Sequence, residues 1–282
     1  MSIVSKLRGL REIWAFDNRL FLILSKLFYP NEQLLVYRYK GLEILMDHSG
    51  GDANGAREVL VSPMYRRFLS RMHFDGPANV LDLGANNGGF PLLLHAAGIR
   101  LKKVVSVEFN PQTFARLHFN LTRNLPCAAT PVNAAVCGER RVIETTLGKG
   151  SVSDNIYNPA ADRGTAYSIA GMTLDDLCRD HFDDEIIDIC KIDIEEAEFE
   201  VFLGGEHQAI SRCRYVVMEI HERGGRKADE LIPVLEKLGL ERQNTDPDAD
   251  PSVHFFVNKR YDRRQAPEAS LRAKARGPDG YR

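Results

Sequence analysis

The amino-acid sequence predicts a doubly wound α/β fold, and three observations lead to it. Between residues 76 and 258, short apolar runs alternate with amphipathic helical stretches, which is the pattern of a mostly parallel sheet with helices on both faces. A glycine-rich turn directly follows the first apolar run. Acidic residues stand where several runs end, at the edge where open α/β sheets bind their ligands.

The predicted elements follow from the positions of these runs. One helix begins with Asn110 as its N-cap and Pro111 in its first turn. Phe114, Leu117 and Leu121 then recur at helical spacing. Further helices are predicted over residues 90–97, 195–204 and 227–238. Strands are predicted over residues 79–83, 104–107, 132–136, 186–192, 215–220 and 253–257.

Composition and charge limit the classes of function. Of the 282 residues, 44% are hydrophobic and 27% are charged, which is ordinary for a chain that buries a core. The formal net charge of −2 creates no overall attraction to nucleic acid, and we expect no nucleic-acid partner. The early apolar run at residues 20–24 is too short to span a bilayer. Five scattered cysteines without a CxxC pair indicate reduced thiols in the cytoplasm.

The chain divides into three predicted zones. Residues 1–75 form an N-terminal, mainly helical extension that we expect to act as a lid. Residues 76–258 form the α/β domain, and residues 259–282 form a polar, basic tail that we expect to be disordered. Residues 141–171 interrupt the alternation between the third and fourth strands, and they are predicted to add a hairpin near the ligand.

Two groups of residues in the N-terminal extension have predicted roles. Asp52, Asn54 and Arg57 follow a double glycine and are expected to reach the cofactor or the acceptor when the lid closes. The aromatic residues of the segment are predicted to form a packing face, with an interfacial membrane helix as the alternative. These aromatic residues are Trp14, Phe16, Phe21 and Phe28.

The turn after the first strand distinguishes two cofactors. A dinucleotide-binding fold requires G-x-G-x-x-G before a helix, whereas Gly84 is followed by Ala85 and Asn86. The run from Asp82 to Gly88 instead fits D-x-G-x-N-x-G, a form of the S-adenosylmethionine loop in which Asn replaces the middle glycine. Asn tolerates a left-handed backbone better than most residues with side chains. The turn therefore favours S-adenosylmethionine over NAD.

The acids that end strands also favour this cofactor. Asp82, Glu108 and Asp193 would together repel a pyrophosphate, but they suit a sulfonium, an ammonium and ribose hydroxyls. Glu108 follows Asp82 by 26 residues, close to the spacing of a ribose-binding acid, and its carboxylate can accept from both ribose hydroxyls. The acids predicted instead to complement a helix dipole are Glu195, Glu196 and Glu198.

Several motifs occur in a characteristic order within about residues 76–225. They are VLDLGANNGGF, VEFNP, NAAVCG, TLDDL, KIDIEEAEFEVFLGG and MEIH. In this order they resemble the FkbM-type family of S-adenosylmethionine-dependent methyltransferases. The resemblance implies a Rossmann-like class I methyltransferase fold with a mostly parallel seven-stranded sheet. It also implies methyl transfer to a hydroxyl of a carbohydrate or secondary metabolite. The alternatives are an N-methyltransferase, a peptide or glycolipid methyltransferase, and a cofactor-binding protein without turnover.

The resemblance assigns the cofactor site residue by residue. It implies that Glu108 binds the ribose and that Phe109 borders the adenine. Asn133 and Ala134 would lie near the edge of the base. Glu196 stands where the family pattern KIDVEGAE has a glycine. The residues implied to hold the methionine part are Asp82, Gly84, Ala85, Asn86 and Gly88.

His221 is predicted to be the catalytic base, because the unperturbed pKa of histidine lies near neutral pH. Glu219 lies two residues earlier on the same strand, so both side chains face the same way. In the preferred interpretation, Glu219 orients His221, which takes the proton of the acceptor. In a second interpretation, Asp193, Glu219 and His221 bind a divalent metal that lowers the pKa of the acceptor hydroxyl. In a third, Glu219 and His221 only satisfy backbone groups of the loops.

Overall fold

The computed structural model describes residues 11–29, 34–47, 52, 55–147, 164–222, 224–243 and 250–262. Most of the predicted disordered tail, Asn54 and the loop at residues 148–163 lie outside the described residues. Within the described ranges, no helix is both long enough and apolar enough to cross a membrane.

The N-terminal extension contains the predicted helices, together with a β-hairpin that was not predicted. Its described elements are α1 (Arg19–Phe28), β1 (Leu34–Tyr39), β2 (Leu42–Asp47), α2 (Ala56–Val61) and α3 (Pro63–Leu69). The two strands pair antiparallel around Lys40 and Gly41, whose φ angles of 48° and 84° are left-handed. Tyr37 and Tyr39 are buried and alternate with exposed residues, which is the period of a half-buried strand.

The aromatic residues of the extension do not form one packing face. Phe16 is fully buried, and its ring lies 5.0 Å from that of Tyr37. Trp14, Phe21 and Phe28 are 60%, 54% and 71% exposed. The prediction of packing therefore holds for Phe16 and is wrong for the other three.

The residues expected to reach the ligand from the extension form ion pairs inside the protein. Asp52 accepts hydrogen bonds from Arg116, at 2.6 Å from Nε and 2.8 Å from Nη2. Arg57 donates to Glu12 at 2.8 Å. Asp52 and Arg57 are both buried. Their role is to attach the extension to the α/β domain and to itself, and the expectation that they face the ligand is wrong.

The α/β domain begins after residue 76. Its strands are β3 (Ala78–Leu83), β4 (Leu101–Glu108), β5 (Ala128–Asn133), β6 (Ala135–Val136), β7 (Arg141–Leu147), β8 (Thr165–Met172), β9 (Ile187–Ile192), β10 (Cys213–Glu219), β11 (Leu240–Arg242) and β12 (Val253–Asn258). Its helices are α4 (Gly89–Ala96), α5 (Pro111–Asn124), α6 (Leu174–Phe182), α7 (Glu198–Gly204) and α8 (Ala228–Lys237).

Seven strands form the central sheet in the order β11-β12-β10-β9-β3-β4-β5. The five strands from β10 to β5 are parallel, and β12 pairs antiparallel with both β10 and β11. On β3, Val80 belongs to a core shared with Leu93 and Leu117, whereas Leu81 belongs to a second core with Leu177. The sheet is thus covered on both faces, which confirms the predicted doubly wound, mostly parallel fold.

The bounds predicted for the third strand are wrong. Residues 132–136 do not form one strand, because β5 ends at Asn133, and β6 leaves the central sheet to pair with β8. β5 lies at the edge of the sheet and contains Pro131, whose missing N–H is tolerated at an edge. Because an edge strand is only partly buried, its sequence is not an apolar run. The predicted inserted hairpin is confirmed as the antiparallel pair β7 and β8.

Candidate active site

A cavity of about 270 Å³ opens at the carboxyl ends of β3, β4, β9 and β10. Strand order explains its position, because β3 lies between β4 and β9, and the chain crosses over on opposite sides of β3. Residues from the N-terminal extension form part of the wall, among them Val59, Met64 and Tyr65. The extension therefore contributes to the ligand site, although through other residues than Asp52 and Arg57.

The turn after β3 is shaped by left-handed backbone conformations. Gly84 has a φ of +71°, and a Cβ atom there would lie 1.7 Å from the carbonyl oxygen of Asp193. Asn86 has a φ of 48°, in agreement with the reason given for Asn at this position. Gly88 has a φ of 93° and caps α4. Gly84, Ala85 and Asn86 line the cavity, whereas Gly88 packs near Leu117.

Glu108 lies at the end of β4 and lines the cavity. Its Oε2 accepts a hydrogen bond from the backbone of Asn86 at 2.9 Å, and its Oε1 accepts from the backbone of Asn110 at 2.8 Å. Asn133 donates to the carbonyls of Glu108 and Phe109, at 2.9 and 3.0 Å. Each carboxylate oxygen can accept more than one hydrogen bond, so these contacts orient Glu108 and leave it capacity to bind a ligand.

Phe109 and Ala134 complete this part of the wall. Together with Glu108 and the turn after β3, they place most of the predicted cofactor residues around one cavity. Asn133 contributes to the wall indirectly, because its side chain binds the backbone carbonyls of Glu108 and Phe109. We call this side of the cavity, at the ends of β3 and β4, the cofactor half.

Asp82 does not line the cavity, in contrast to its predicted place beside the methionine part. It is fully buried, and its Oδ1 lies 3.5 Å from Nζ of Lys191. Burial raises the pKa of Asp82 to about 6, with Lys191 opposing the effect. Lys191 in turn donates to the carbonyl of Gly84 at 2.6 Å and lies 3.2 Å from Asp193. Asp82 therefore contacts the residues of the cavity indirectly, through its ion pair with Lys191.

The opposite side of the cavity, at the ends of β9 and β10, concentrates ionisable groups. Nδ1 of His221 lies 2.9 Å from Oε1 of Glu198. Nε2 lies 3.6 Å from Glu195 and 3.8 Å from both Asp193 and Glu219. One imidazole thus faces four carboxylates, of which Asp193, Glu195 and Glu219 line the cavity, whereas His221 and Glu198 do not. We call this side the acceptor half.

Burial and charge shift the proton affinities of the acceptor half. Burial lowers the pKa of His221, but the hydrogen bond to Glu198 and the charges of Glu198 and Glu195 outweigh this and raise the pKa to about 9. Burial, with the nearby Asp193, raises the pKa of Glu195 to about 8 and that of Glu219 to about 7. At neutral pH His221 is therefore mostly protonated, whereas Glu219 is close to half ionised.

Glu198, and not Glu219, holds the imidazole of His221. Glu219 lies 3.8 Å from Nε2, beyond hydrogen-bond distance. Glu198 is fully buried at the start of α7, and it also accepts from the backbone of Ile194 at 3.3 Å. Sequence reasoning assigned Glu198 to the helix dipole, because spacing along the chain does not show that α7 faces the end of β10.

Glu195 and Glu196 do not lie in the first turn of a helix, contrary to prediction. Their φ angles are 49° and 77°, and α7 begins at Glu198. Left-handed backbone is uncommon for residues other than glycine. The structure thus explains the glycine of the family pattern at position 196, where this chain has Glu. The same tight turn brings Glu195 into the cavity wall.

Asp193, Glu219 and His221 have one ligand atom each within 4.8 Å of one another, a spacing that could hold a metal ion. A metal would have to displace the proton of His221, because an imidazolium has no free lone pair and the pKa of His221 is raised to about 9. Lys191 also lies 3.2 Å from Asp193 and competes for its charge.

Tyr65 of α3 is a cavity residue that sequence reasoning missed. Burial, together with the charges of Asp193 and Glu219, raises the pKa of its phenol well above the usual value. Tyr65 therefore stays neutral and can donate a hydrogen bond at this edge of the site. Nothing in its sequence neighbourhood marks it, because it lies in the N-terminal extension and reaches the site only through folding.

Comparisons with known proteins agree with the resemblance. Residues 82–242, more than half of the chain, match the methyltransferase FkbM domain family. Among curated proteins, the chain is similar to the AMB antimetabolite synthetase AmbE of Pseudomonas aeruginosa, with 28% identity over 225 residues. This match covers 66% of the chain and 10% of the synthetase.

Among solved structures, the chain is similar to methyltransferase FkbM from Methylobacillus flagellatus KT, with 18% identity and a TM-score of 0.48. The match covers 70% of this chain and 47% of that one. It is also similar to TrmK of M. capricolum, solved with S-adenosyl-homocysteine, with 9% identity, a TM-score of 0.40 and coverage of 71% and 70%. The chain thus spans a tenth of the length of the synthetase and about half of that of the first solved structure.

Proposed function

The chain belongs to the FkbM methyltransferase family, and from this premise we propose that it transfers a methyl group from S-adenosylmethionine to a hydroxyl of a carbohydrate or secondary metabolite. The proposal rests on the observation that the cofactor half and the acceptor half are parts of the same cavity. One half offers a ribose-binding carboxylate and a tight backbone turn. The other offers carboxylates whose pKa values suit proton transfer near neutral pH.

The residues of the cofactor half fit S-adenosylmethionine. Glu108 can accept hydrogen bonds from the two ribose hydroxyls, and Phe109 with Ala134 offers an apolar surface for the adenine. Among the described residues of the cavity wall, Lys191 is the one cationic side chain, and it already pairs with Asp193 and the Gly84 carbonyl. This leaves little to bind a pyrophosphate, which disfavours NAD.

S-adenosylmethionine, when bound, supplies an electrophilic methyl group that the acceptor attacks in line with the bond to sulfur. The protein then has two tasks. It orients the acceptor, an effect that contributes about 7–11 kcal/mol in favourable cases. It also removes the proton of the acceptor hydroxyl, which requires a base at the acceptor half.

The pKa values favour Glu219 over His221 as the proposed base. A general base works best when its pKa is close to the working pH, and the pKa of Glu219 is about 7 whereas that of His221 is about 9. Glu219 also lines the cavity. His221, held by Glu198, places a positive charge among the carboxylates and keeps part of them ionised. Asp193 and Tyr65 complete the polar surface that the acceptor contacts.

The excess of carboxylates also favours a second candidate, methyl transfer to nitrogen. An amine acceptor would enter as an ammonium ion, which the acidic residues of the cavity wall attract, and Glu219 would remove its proton before transfer. Similarity to an antimetabolite synthetase supports a secondary metabolite as the acceptor in either case. We place the reaction in the cytoplasm, because the five cysteines are all free thiols.

Mass spectrometry of host metabolites and glycans, with and without the protein, tests the proposal. We expect one compound to gain about 14 Da, the mass of one CH₂ group, when the protein is present. Fragmentation then shows whether oxygen or nitrogen carries the methyl group. The proposal of turnover fails if no such pair appears while the purified protein still binds S-adenosylmethionine, and the chain is then a cofactor-binding protein.

A further inference from the structure

Helix α1 is amphipathic, and its apolar side faces outward at the surface of the protein. Leu22 and Ser25 face the core and are buried. On the outer side, the side chains of Leu20, Phe21, Leu24, Leu27 and Phe28 are between 52% and 71% exposed. An amphipathic helix of a globular protein is expected to turn its apolar side toward the core, so an outward apolar side calls for another cover. We refer to these five outer residues as the α1 face.

Further exposed apolar residues lie next to the α1 face. Trp14 precedes the helix and is 60% exposed, and Tyr29 follows it and is 64% exposed. On the adjoining strand β1, Leu34 and Val36 are also exposed. Asn18 joins the two elements, because its side chain donates to the carbonyl of Val36 at 2.9 Å. The exposed apolar residues therefore form a group and are not scattered singly, which marks an interaction surface.

Basic residues accompany this apolar surface. Residues 1–40 contain seven Lys and Arg against three Asp and Glu, although the whole chain has a formal net charge of −2. Arg11, Arg19 and Lys40 are exposed, and the guanidinium of Arg19 lies 5.3 Å from the ring centroid of Trp14. Of the acids in the described part of this segment, Glu12 is paired with Arg57. The charge of the segment is thus opposite in sign to that of the remaining chain.

We propose that the α1 face binds the surface of a bilayer that contains anionic lipids. Leu and Phe side chains would enter the boundary between headgroups and acyl chains, as they do for interfacial amphipathic helices. Trp14 and Tyr29 are residue types enriched at the level of the headgroups. Arg11, Arg19 and Lys40 would contact the negatively charged headgroups.

The charges favour a bilayer over a second copy of this chain. In a symmetric dimer the same patch faces itself, so the basic residues of one copy would meet those of the other. An anionic bilayer instead complements them. Peripheral binding also needs no membrane-spanning helix, and the described part of the chain contains none. This inference is independent of the proposed methyl transfer.

Vesicle co-sedimentation of the full-length protein tests the inference. The probes are vesicles of equal parts phosphatidylglycerol and phosphatidylcholine, and vesicles of phosphatidylcholine alone. We expect binding to the anionic vesicles, at least tenfold weaker binding to the neutral ones, and weakening by high salt, because salt screens exposed charges.

Two variants distinguish vesicle binding through the α1 face from nonspecific binding. Leu24→Gln with Leu27→Gln removes two of its leucines, and we expect at least tenfold weaker binding to anionic vesicles. Val142→Gln is the matched control, because Val142 on β7 is 67% exposed and Leu27 is 68% exposed. We expect the control to bind like the unmodified protein, and circular dichroism verifies that all variants are folded.

Three results would overturn the inference. The unmodified protein binds neither vesicle, or the double variant binds as well as the control. Alternatively, sedimentation velocity shows a dimer that the double variant abolishes while vesicle binding is absent, and then a second copy covers the face. Arg19→Gln gives a further check, since equal binding to both lipid mixtures after this substitution is expected only if the charge contacts the headgroups.

Discussion

The carboxylates in the two halves of the cavity have different surroundings. In the cofactor half, Glu108 is held by the backbone amides of Asn86 and Asn110, so its charge is compensated by the fold itself. In the acceptor half, four carboxylates surround the one imidazole of His221, and the pKa values of two of them, Glu195 and Glu219, are raised into the range near neutral pH. The first arrangement suits binding, and the second suits the uptake and release of protons.

The halves meet at close backbone contacts where β3 and β9 end, and the backbone N–H of Asp193 donates to the carbonyl of Leu83 at 3.1 Å. Gly84 belongs to the cofactor half, and its α-carbon faces the carbonyl of Asp193 in the acceptor half. Lys191 bridges the same two residues, through the Gly84 carbonyl and the Asp193 carboxylate. Gly84 and Lys191 therefore connect the two halves, and variants on either side can break or sharpen the distinction.

The largest effect is expected in the acceptor half, from Glu219→Gln. Loss of the proposed base should lower turnover by about 10²- to 10⁴-fold, while binding of S-adenosylmethionine changes little. Turnover is measured with the acceptor that mass spectrometry identifies. Glu144→Gln on β7 is the control, because Glu144 is exposed and does not line the cavity. Near-normal turnover of Glu219→Gln would exclude Glu219 as the base.

The pH dependence of turnover decides between the candidate bases. If Glu219 takes the proton, turnover rises with pH through a midpoint near 7, since the ionised carboxylate is the active form. If His221 takes it, the midpoint lies near 9. We expect the lower midpoint and no effect of a chelator. Loss of turnover with a chelator and recovery with a divalent ion would instead support the metal site.

Gly84→Ala tests the contact between the halves, and its effect on stability is the next in size. The new Cβ atom would lie 1.7 Å from the Asp193 carbonyl, so the backbone must shift, which costs about 1–3 kcal/mol or more in the free energy of unfolding. Gly98→Ala is the control, because Gly98 has a φ of +82° and a Cβ added there would meet no atom of the described residues within 4 Å. Urea denaturation measures the free energy of unfolding of both variants. An equal decrease in the two variants would mean that the positive φ angle, and not the contact with Asp193, destabilises Gly84→Ala.

A smaller effect is expected on the pH dependence of stability. The folded-state pKa values of Glu195, Glu219 and His221 are all raised. For such groups the stabilising contribution is complete below the unfolded pKa and is lost as pH rises through the folded one. The free energy of unfolding should therefore fall between about pH 4.5 and 9. Glu195→Gln with Glu219→Gln should flatten the slope in urea titrations, and an unchanged slope would contradict these pKa values.

The sequence predicted the cofactor half better than the acceptor half. The turn after β3 is one contiguous motif, so Gly84, Ala85 and Asn86 were predicted together, whereas Asp82 and Gly88 do not line the cavity. Asp193, Glu219 and His221 were brought together by the expectation that β9 and β10 are neighbours. Glu198 and Tyr65 were missed, because their places depend on how α7 and α3 pack.

In the fold, buried parallel strands were easier to predict than half-buried ones. β3, β9 and β10 are continuous apolar runs because both faces of the sheet are covered. β5 and the N-terminal hairpin expose one side or one edge, so their sequences mix polar and apolar residues. For the hairpin, the alternation around Tyr37 and Tyr39 was a usable signal, and the left-handed turn at Lys40 and Gly41 was another.

Calorimetric titration of the full-length protein with S-adenosylmethionine and with NAD tests the central claim most directly. We predict one site for S-adenosylmethionine and no binding of NAD. We also predict that Glu108→Ala, verified as folded by circular dichroism, weakens S-adenosylmethionine binding by about 1.5–3 kcal/mol, or about 10- to 150-fold. Binding of NAD, or an unchanged affinity for S-adenosylmethionine in Glu108→Ala, would contradict the assignment of the cofactor half.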